Sequence, residues 1–466
     1  MKDKIKILFI KPYADTIIYT KDIPLGILYL SSYLKIHQKD KVKIRFLNLQ
    51  IEKSRSELLD LELSSFKPDI VGISLLAFEE SFLSECVPLI KKYTPGAKII
   101  IGGPYATTNY EDALKSYPID YVVIGEGERV LHNIVKCCLS GDDIRELKGV
   151  AYRDGESVQV NEREPYIEDL DSIPFPDHDL ITIDNYWGYH LQMNLILADK
   201  RYVPIISSRA CPYGCVYCHN IFGKKLRKRS PENFVDEISM LYHEYGAREF
   251  HIVDDIFNID RERMHRILNL IIESNMKIKI AFPNAMRGDL LNEEDIRLLK
   301  RAGAYMITLA VETGSERMQK VIKKNLDIKK VLENISIASR LGLLTKAYFM
   351  LGFPGETVEE LEKTVSVAVR SDLDMAAFFV VTPFKGTELY RMAEQVYPNI
   401  GKDGFGSYYE KSFYESATGY NIRKLQKRAY MKFYSARRLV TLFLKSPLKS
   451  YFLFRFAAAV RNTLRI

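Results

Sequence analysis

Cysteine is scarce in this chain, with six among 466 residues. A small secreted scaffold stapled by disulfides needs cysteines dense and paired, so that class is excluded. Cys86, Cys137 and Cys138 stand in apolar surroundings and read as buried, inert thiols. Long apolar runs are missing too, and none approaches the roughly 20 residues of a membrane span. No signal segment is expected, because MKDKIKILFIKPY offers only a short apolar run before Lys11. A reducing, cytoplasmic location follows as the expectation. The fingerprint G-x-G-x-x-G is also lacking. GGPYA does not match it, so a dinucleotide site is poorly supported.

Acidic side chains are absent from Ser416 to Ile466, where twelve Lys or Arg stand unopposed. The rest of the chain carries 55 basic against 60 acidic residues. That asymmetry says more than the overall charge of +7. The tail is helical in pattern, breaks at Pro447, and mixes its cations with Tyr430, Phe433, Tyr434, Phe443, Tyr451, Phe452, Phe454 and Phe456. Such a segment can lie on an anionic membrane surface at the inner face, or it can turn its aromatics inward and leave its cations in water. Both readings stand. The basic run KKLRKRS (224–230) reads as a solvated stretch or a contact to anionic cofactor groups, and no nucleic-acid partner is expected.

What is present is an ordinary globular composition, 47% hydrophobic and 27% charged, long enough for two domains or more. In the first third, apolar strand runs near 5–10, 42–49, 69–76, 97–103 and 121–127 alternate with helical patterns. Alternation of that kind predicts a parallel sheet covered on both faces, a flavodoxin-like doubly wound α/β domain. Ligands of such folds lie beyond the carboxyl ends of the strands, where Ser74, Gly102, Gly103, Gly125 and Glu126 fall. Those glycines either admit a ligand close to the backbone or only make tight turns. Residues 148–160 predict a hairpin turning at Asp154–Gly155. The Pro- and Asp-rich IEDLDSIPFPDHDLI reads as a strap, with His178 and Trp187 as packing residues. From about Tyr202, six further strand–helix units predict a partial (β/α)6 barrel, with Ser230 and Pro231 opening one of its helices.

Three of the six cysteines are concentrated in one loop. SSRACPYGCVYCHN, residues 207–220, spaces Cys211, Cys215 and Cys218 as C-x3-C-x2-C. Thiolates are soft ligands suited to iron–sulfur clusters or zinc. A structural zinc site usually takes four ligands as separated pairs, and no later pair exists; His219 beside Cys218 completes one only awkwardly. Three unrelated loop cysteines are the bland reading. A four-iron cluster with one iron left open fits the spacing, and Pro212 and Gly214 let the loop wrap around it.

This spacing resembles the signature of the radical SAM superfamily. PLGILYLSSYL, GGPYATT and IGEGE look like segments of a cobalamin-binding domain placed before a radical SAM core. Asp254 to Phe257, Glu312 to Ser315, Gly352 to Thr357 and Thr382 to Thr387 are similar to that class's strand-end motifs. Departures are Thr313 for the usual serine, Lys385 where proline often precedes Gly386, and Tyr105 where histidine is common. After the first strand KPYADTII stands in place of D-x-H-x-x-G, so the resemblance implies cobalt without a protein imidazole below it.

The resemblance implies three cofactors: a 4Fe–4S cluster on Cys211, Cys215 and Cys218, S-adenosylmethionine (SAM), and cobalamin. Asp254 and Asp255 would accept from the methionine ammonium, Asn284 and Arg287 would meet its carboxylate, and Glu312 and Thr313 would hold the ribose. Gly352 would lie against the adenine, with Tyr217 also among the binding residues. Any one of these could instead be a helix cap or a surface pair. The implied domains are 1–142 for cobalamin, 143–200 as hairpin and linker, 201–395 for the radical SAM core and 396–466 for the basic aromatic tail. The implied activity is generation of a 5′-deoxyadenosyl radical and methylation of an unactivated carbon of a small-molecule or lipid substrate. A non-methylating cyclase or oxidoreductase, or a cobalamin or redox sensor, is the alternative. An external electron donor of flavodoxin or ferredoxin type is expected.

Overall fold

The computed structural model describes residues 2–13, 23–51, 55–188, 196–219, 221–400 and 412–463. Two compact units divide between Tyr186 and Trp187.

The first unit is built on strands β1 (Ile5–Lys11), β2 (Val42–Asn48), β3 (Ile70–Ser74), β4 (Lys98–Gly102), β5 (Tyr121–Val123), β6 (Val150–Asp154) and β7 (Ser157–Val160). Helices α1 (Leu25–Gln38), α2 (Arg55–Phe66), α3 (Phe82–Tyr93), α4 (Pro104–Ser116) and α5 (Gly127–Ser140) connect them. The sheet order is β2-β1-β3-β4-β5-β6-β7, parallel through β5, which is the flavodoxin order expected. Alternate residues of β1 feed two cores. Leu8 and Ile10 pack with residues of α2, α3 and α4, while Ile5, Ile7 and Phe9 pack with residues of α1 and α5. Gly72 on β3 is required by this packing, since a Cβ there would stand 2.9 Å from the Phe9 ring. The hairpin forms where predicted, but it adds to the sheet through β5 rather than standing apart. The strap is pinned to α1, with Ser31 donating to Asp177 at 2.5 Å and Lys35 pairing with the same carboxylate. His178 is buried there as a packing residue, and burial pushes its imidazole down to about 4.

The second unit holds β8 (Tyr202–Ile205), β9 (Ser208–Arg209), β10 (Arg227–Lys228), β11 (Glu249–Ile252), β12 (Lys279–Met286), β13 (Ala304–Glu312), β14 (Leu344–Leu351) and β15 (Met375–Val380). Its helices are α6 (Pro231–His243), α7 (Arg261–Glu273), α8 (Glu293–Arg301), α9 (Glu316–Val321), α10 (Ile328–Arg340), α11 (Val358–Arg370), α12 (Glu388–Val396) and α13 (Phe413–Thr418). Three more, α14 (Ile422–Phe433), α15 (Ala436–Lys445) and α16 (Lys449–Thr463), end the chain. The six long strands run parallel in the order β15-β14-β13-β12-β11-β8, the partial barrel expected. Ser230 caps α6 by accepting from Asn233, with Pro231 at the first turn, as its sequence predicts.

The tail packs its aromatics inward. Gln426 and Tyr430 on α14 and Tyr434 at its C-terminal cap bond the backbone of edge strand β15, at Phe378 and Ala376. Arg438 donates to three carbonyls before that strand, and Lys445 pairs with Asp374. Phe433 and Tyr451 are fully buried; the side chain of Phe456 lies outside the described residues. No described helix is long and apolar enough to cross a membrane.

Candidate active site

Backbone irregularities aim side chains at one place. The register between β12 and β13 shifts between Phe282 and Met286, and that between β13 and β14 shifts between Ala310 and Glu312. Such bulges re-aim the residues inside them. Ala210, Ala285 and Glu312 have φ of 75°, 75° and 66°, left-handed values that cost a residue with a Cβ. Strain of this kind persists where surrounding structure holds it, commonly at functional sites.

The cysteine loop is framed at its base by the short β9–β10 ladder. Val216 is fixed on both sides, donating to Ile322 and accepting from Leu389. Cys211, Cys215 and Cys218 line one cavity of about 400 Å³ together with Tyr217, Asp255, Asn284, Arg287 and Glu312. Lys324, Tyr213, His219 and Tyr348 complete the part of the wall that matters chemically. Burial pushes the Cys218 thiol up to about 12 and raises Cys211, each also raised by Cys215. Burial raises Asp255 as well, with Asp254 adding to the effect, while the Ala210 N–H opposes it. The Glu312 carboxylate accepts from Tyr217 at 3.1 Å and from Lys324 at 3.4 Å. Asn284 donates to the Val253 carbonyl at 2.6 Å.

Three expected residues are used otherwise. Asp254 does not reach the cavity; its oxygens accept from Ser207 N, Ser207 Oγ and Ser208 Oγ at 2.5–2.6 Å. Thr313 is fully buried, bonded to Thr364 Oγ1 at 3.2 Å and to the Ser315 N–H. Gly352 turns the chain at φ 93°, donates to Glu356 at 2.8 Å, and packs on Tyr414. Arg287 lines the cavity, but its fork is taken: both arms meet Asp289 at 3.0 Å, and it also donates to the Lys324 and Asn325 carbonyls. Its guanidinium stacks 4.2 Å over Tyr213, so it braces the cysteine loop.

At the carboxyl ends of the first unit's strands, Ser74 and Gly102 are paired in register. A Cβ on Gly125 would meet nothing within 4 Å, and one on Gly102 only Val123 at 3.9 Å, so both present bare backbone at the rim. Gly103 is different: with φ 91° and a Cβ that would fall 3.0 Å from the Leu75 carbonyl, it serves the turn. The Glu126 carboxylate accepts from Ile167 of the strap at 3.0 Å. Tyr105 packs in the core beneath the rim. Glu79 was not foreseen. It is fully buried, and it ties Lys11 at the end of β1, Gln50 after β2 and Leu76 after β3 into one corner. Of KPYADTII, on which the missing-histidine reading falls, residues 14–18 lie outside the described residues.

A Radical SAM superfamily model matches residues 205–368, and a B12 binding domain model matches residues 18–135. The chain is a radical SAM protein with a B12-binding domain. An uncharacterised methyltransferase of Pyrococcus horikoshii is 28% identical over 443 residues, 92% of each chain. Cytidylyl-2-hydroxyethylphosphonate methyltransferase of Streptomyces wedmorensis is 28% identical over 437 residues, covering 83% of this chain and 81% of its own. An anaerobic magnesium-protoporphyrin IX monomethyl ester cyclase of Cereibacter sphaeroides is 27% identical, over 79% of this chain and 60% of its own. Among solved structures, the radical SAM methyltransferase TsrM of Kitasatospora setae superposes with a TM-score of 0.68 at 18% identity, over 84% of this chain and 75% of its own. The cobalamin-dependent radical enzyme OxsB gives 0.67 at 20%, over 86% and 56%. These two share the fold.

This radical SAM protein is an enzyme whose cofactors are a 4Fe–4S cluster, SAM and cobalamin; it acts on a small molecule and needs a reductant. The residues present fit those groups. Three thiols around one cavity are the donor set of a cubane, one sulfur per iron. Bare glycine backbone at Gly102 and Gly125 is the cradle a large planar cofactor needs. Lys324 was missed from sequence because it follows a short helix rather than a strand.

Proposed function

We propose that this protein is a cobalamin-dependent radical SAM methyltransferase acting on an unactivated carbon of a small molecule. The observation that carries this reading is the meeting of Cys211, Cys215 and Cys218 with Asp255, Asn284 and Glu312 on one cavity. When bound, the cluster supplies the electron that splits SAM to a 5′-deoxyadenosyl radical and cobalamin supplies the methyl group. The three thiolates hold one iron each. Asp255 and the Asn284 carbonyl accept from the methionine ammonium, and Lys324 meets the carboxylate in place of the occupied Arg287. Glu312, steadied by Tyr217, accepts from ribose hydroxyls. Asp254, Thr313 and Gly352 position these groups without touching them. Ser74, Gly102 and Gly125 receive cobalamin, with Gly103 and Glu126 shaping that rim. Functional boundaries at 1–142, 143–200, 201–395 and 396–466 are part of the same proposal, as is a flavodoxin or ferredoxin as the electron donor. The two methyltransferases matched along more than four fifths of their own lengths favour methyl transfer over the cyclase chemistry of a relative matched along 60%.

Anaerobic reconstitution with iron and sulfide is expected to load about four irons per chain and, after one-electron reduction with dithionite, to give a paramagnetic resonance signal that shifts when SAM is added. Cys215→Ala is expected to lose both, and full loading of that variant would overturn the assignment. What supports a peripheral membrane contact, and with it a lipid substrate, is the outward exposure of Met431, Val440 and Leu444 among the tail's cations. Val440→Asp with Leu444→Asp should then abolish binding to anionic liposomes. Equal binding, or none by the parent protein, removes the idea.

A further inference from the structure

Strand β14 sends Lys346, Tyr348 and Met350 to the same side by its period of two, and Tyr348 lines the cysteine cavity. Lys346 therefore points into the barrel interior, roughly 7 Å deeper along the strand. A lysine in the middle of a buried strand is costly unless paired. Lys346 is 3% exposed; its ammonium donates to the Tyr348 hydroxyl at 3.1 Å and sits 4.7 Å from that ring's centre. No carboxylate pairs with it among the described residues.

Two other groups belong to this level. Thr308 on β13 is in register with Lys346 and so faces the same side; it is fully buried and its hydroxyl lacks a partner. From α16, Arg455 brings a buried Nη1 that also lacks a partner, near enough for its charge to bear on Lys346. Burial first, and Arg455 second, push the Lys346 ammonium down to about 8. Among the described residues, two cations without a carboxylate partner and an idle hydroxyl leave this level of the core short of an acceptor. One group satisfies all three at once: a doubly charged oxyanion, which accepts from each donor and balances both charges. A carboxylate balances only one.

We propose that Thr308, Lys346 and Arg455 form an oxyanion subsite inside the barrel that holds a phosphate or phosphonate group of the substrate beneath Tyr348. The inference rests on the reading of the cysteine cavity as the reaction site and narrows the substrate to a phosphorylated or phosphonylated small molecule. Tyr348, which also donates to the Pro283 carbonyl at 2.6 Å, forms the step between the two levels.

The test titrates inorganic phosphate into the reconstituted holoenzyme, without SAM or reductant. Binding is read by calorimetry and by the fluorescence of Trp187, the single tryptophan, which packs beside Tyr451 of α16. Saturable binding to the parent protein is expected. Lys346→Met should weaken it at least tenfold and Thr308→Val several-fold, while Lys346→Arg, which keeps the charge, should stay within several-fold. Thermal melts and the cluster's visible absorbance verify that each variant is folded and loaded. No saturable phosphate binding, or unchanged affinity in Lys346→Met, overturns the subsite. Acetate bound as tightly as phosphate overturns the dianion assignment. Since no turnover is involved, either failure leaves cluster loading and SAM cleavage to be judged on their own.

Discussion

Asp254 and Asp255 are adjacent and chemically identical, yet only Asp255 opens to the cavity. Neighbouring residues at a strand end point opposite ways, so one carboxylate holds Ser207 and Ser208 while the other stays available. Sequence shows the pair but not which way each turns. At Gly352 the constraint is steric: φ is 93° and Tyr414 Cβ would lie 3.1 Å from an added Cβ. Gly352→Ala is expected to cost about 1–3 kcal/mol in urea denaturation, and an unchanged midpoint would contradict that. His178 gives a pH signature. Its folded value near 4 lies below the ordinary 6.5, so its contribution is fully present above pH 6.5 and is lost as pH falls toward 4. The difference in stability between parent and His178→Gln should therefore change by up to about 3 kcal/mol across that window. A flat difference would mean the imidazole ionises freely. The cysteine loop was legible because its information is local, three ligands within eight residues. Arg287 was expected to meet the methionine carboxylate, but its fork holds Asp289, which lies two residues away and competes for it at close range.

At the scale of elements, α14 illustrates what a sequence withholds. Gln426, Tyr430 and Tyr434 are spaced by four, one stripe of polar-tipped side chains on a helix. Nothing in that stripe tells a membrane surface from an unpaired strand edge. The edge of β15 decides it, since its exposed amides and carbonyls need partners and the stripe supplies them. Tyr434→Phe should cost about 1–2 kcal/mol by leaving the Ala376 amide and carbonyl short of a partner. Truncation after Gly419 should uncover the edge and produce concentration-dependent association in sedimentation experiments. A monodisperse truncated protein would argue that the cover is dispensable. The predicted hairpin formed, but its two-residue turn is Gly155–Glu156, one place on from the Asp154–Gly155 expected, with Asp154 paired to Ser157 and Gly155 taking the left-handed φ of 60° that the turn needs. Its joining to β5 depends on a tertiary pairing that local chemistry does not specify.

For the whole molecule, alternation of apolar strands and helices was enough to fix two α/β folds and the order of their elements. The chemistry then follows from ends of strands: glycine backbone at one rim, and thiols with acceptors at the other. Polar residues deep inside the barrel escaped that reasoning, because sequence rules look for function at strand ends and Lys346 lies mid-strand. The most direct measurement starts from anaerobically purified protein, reconstituted with iron, sulfide and cobalamin and reduced in the presence of SAM, with its small molecules read by mass spectrometry. Both 5′-deoxyadenosine and S-adenosylhomocysteine are expected, with deoxyadenosine lost in Cys215→Ala. Deoxyadenosine without S-adenosylhomocysteine would contradict methyl transfer, and deoxyadenosine that survives Cys215→Ala would contradict the cysteine cavity as the reaction site.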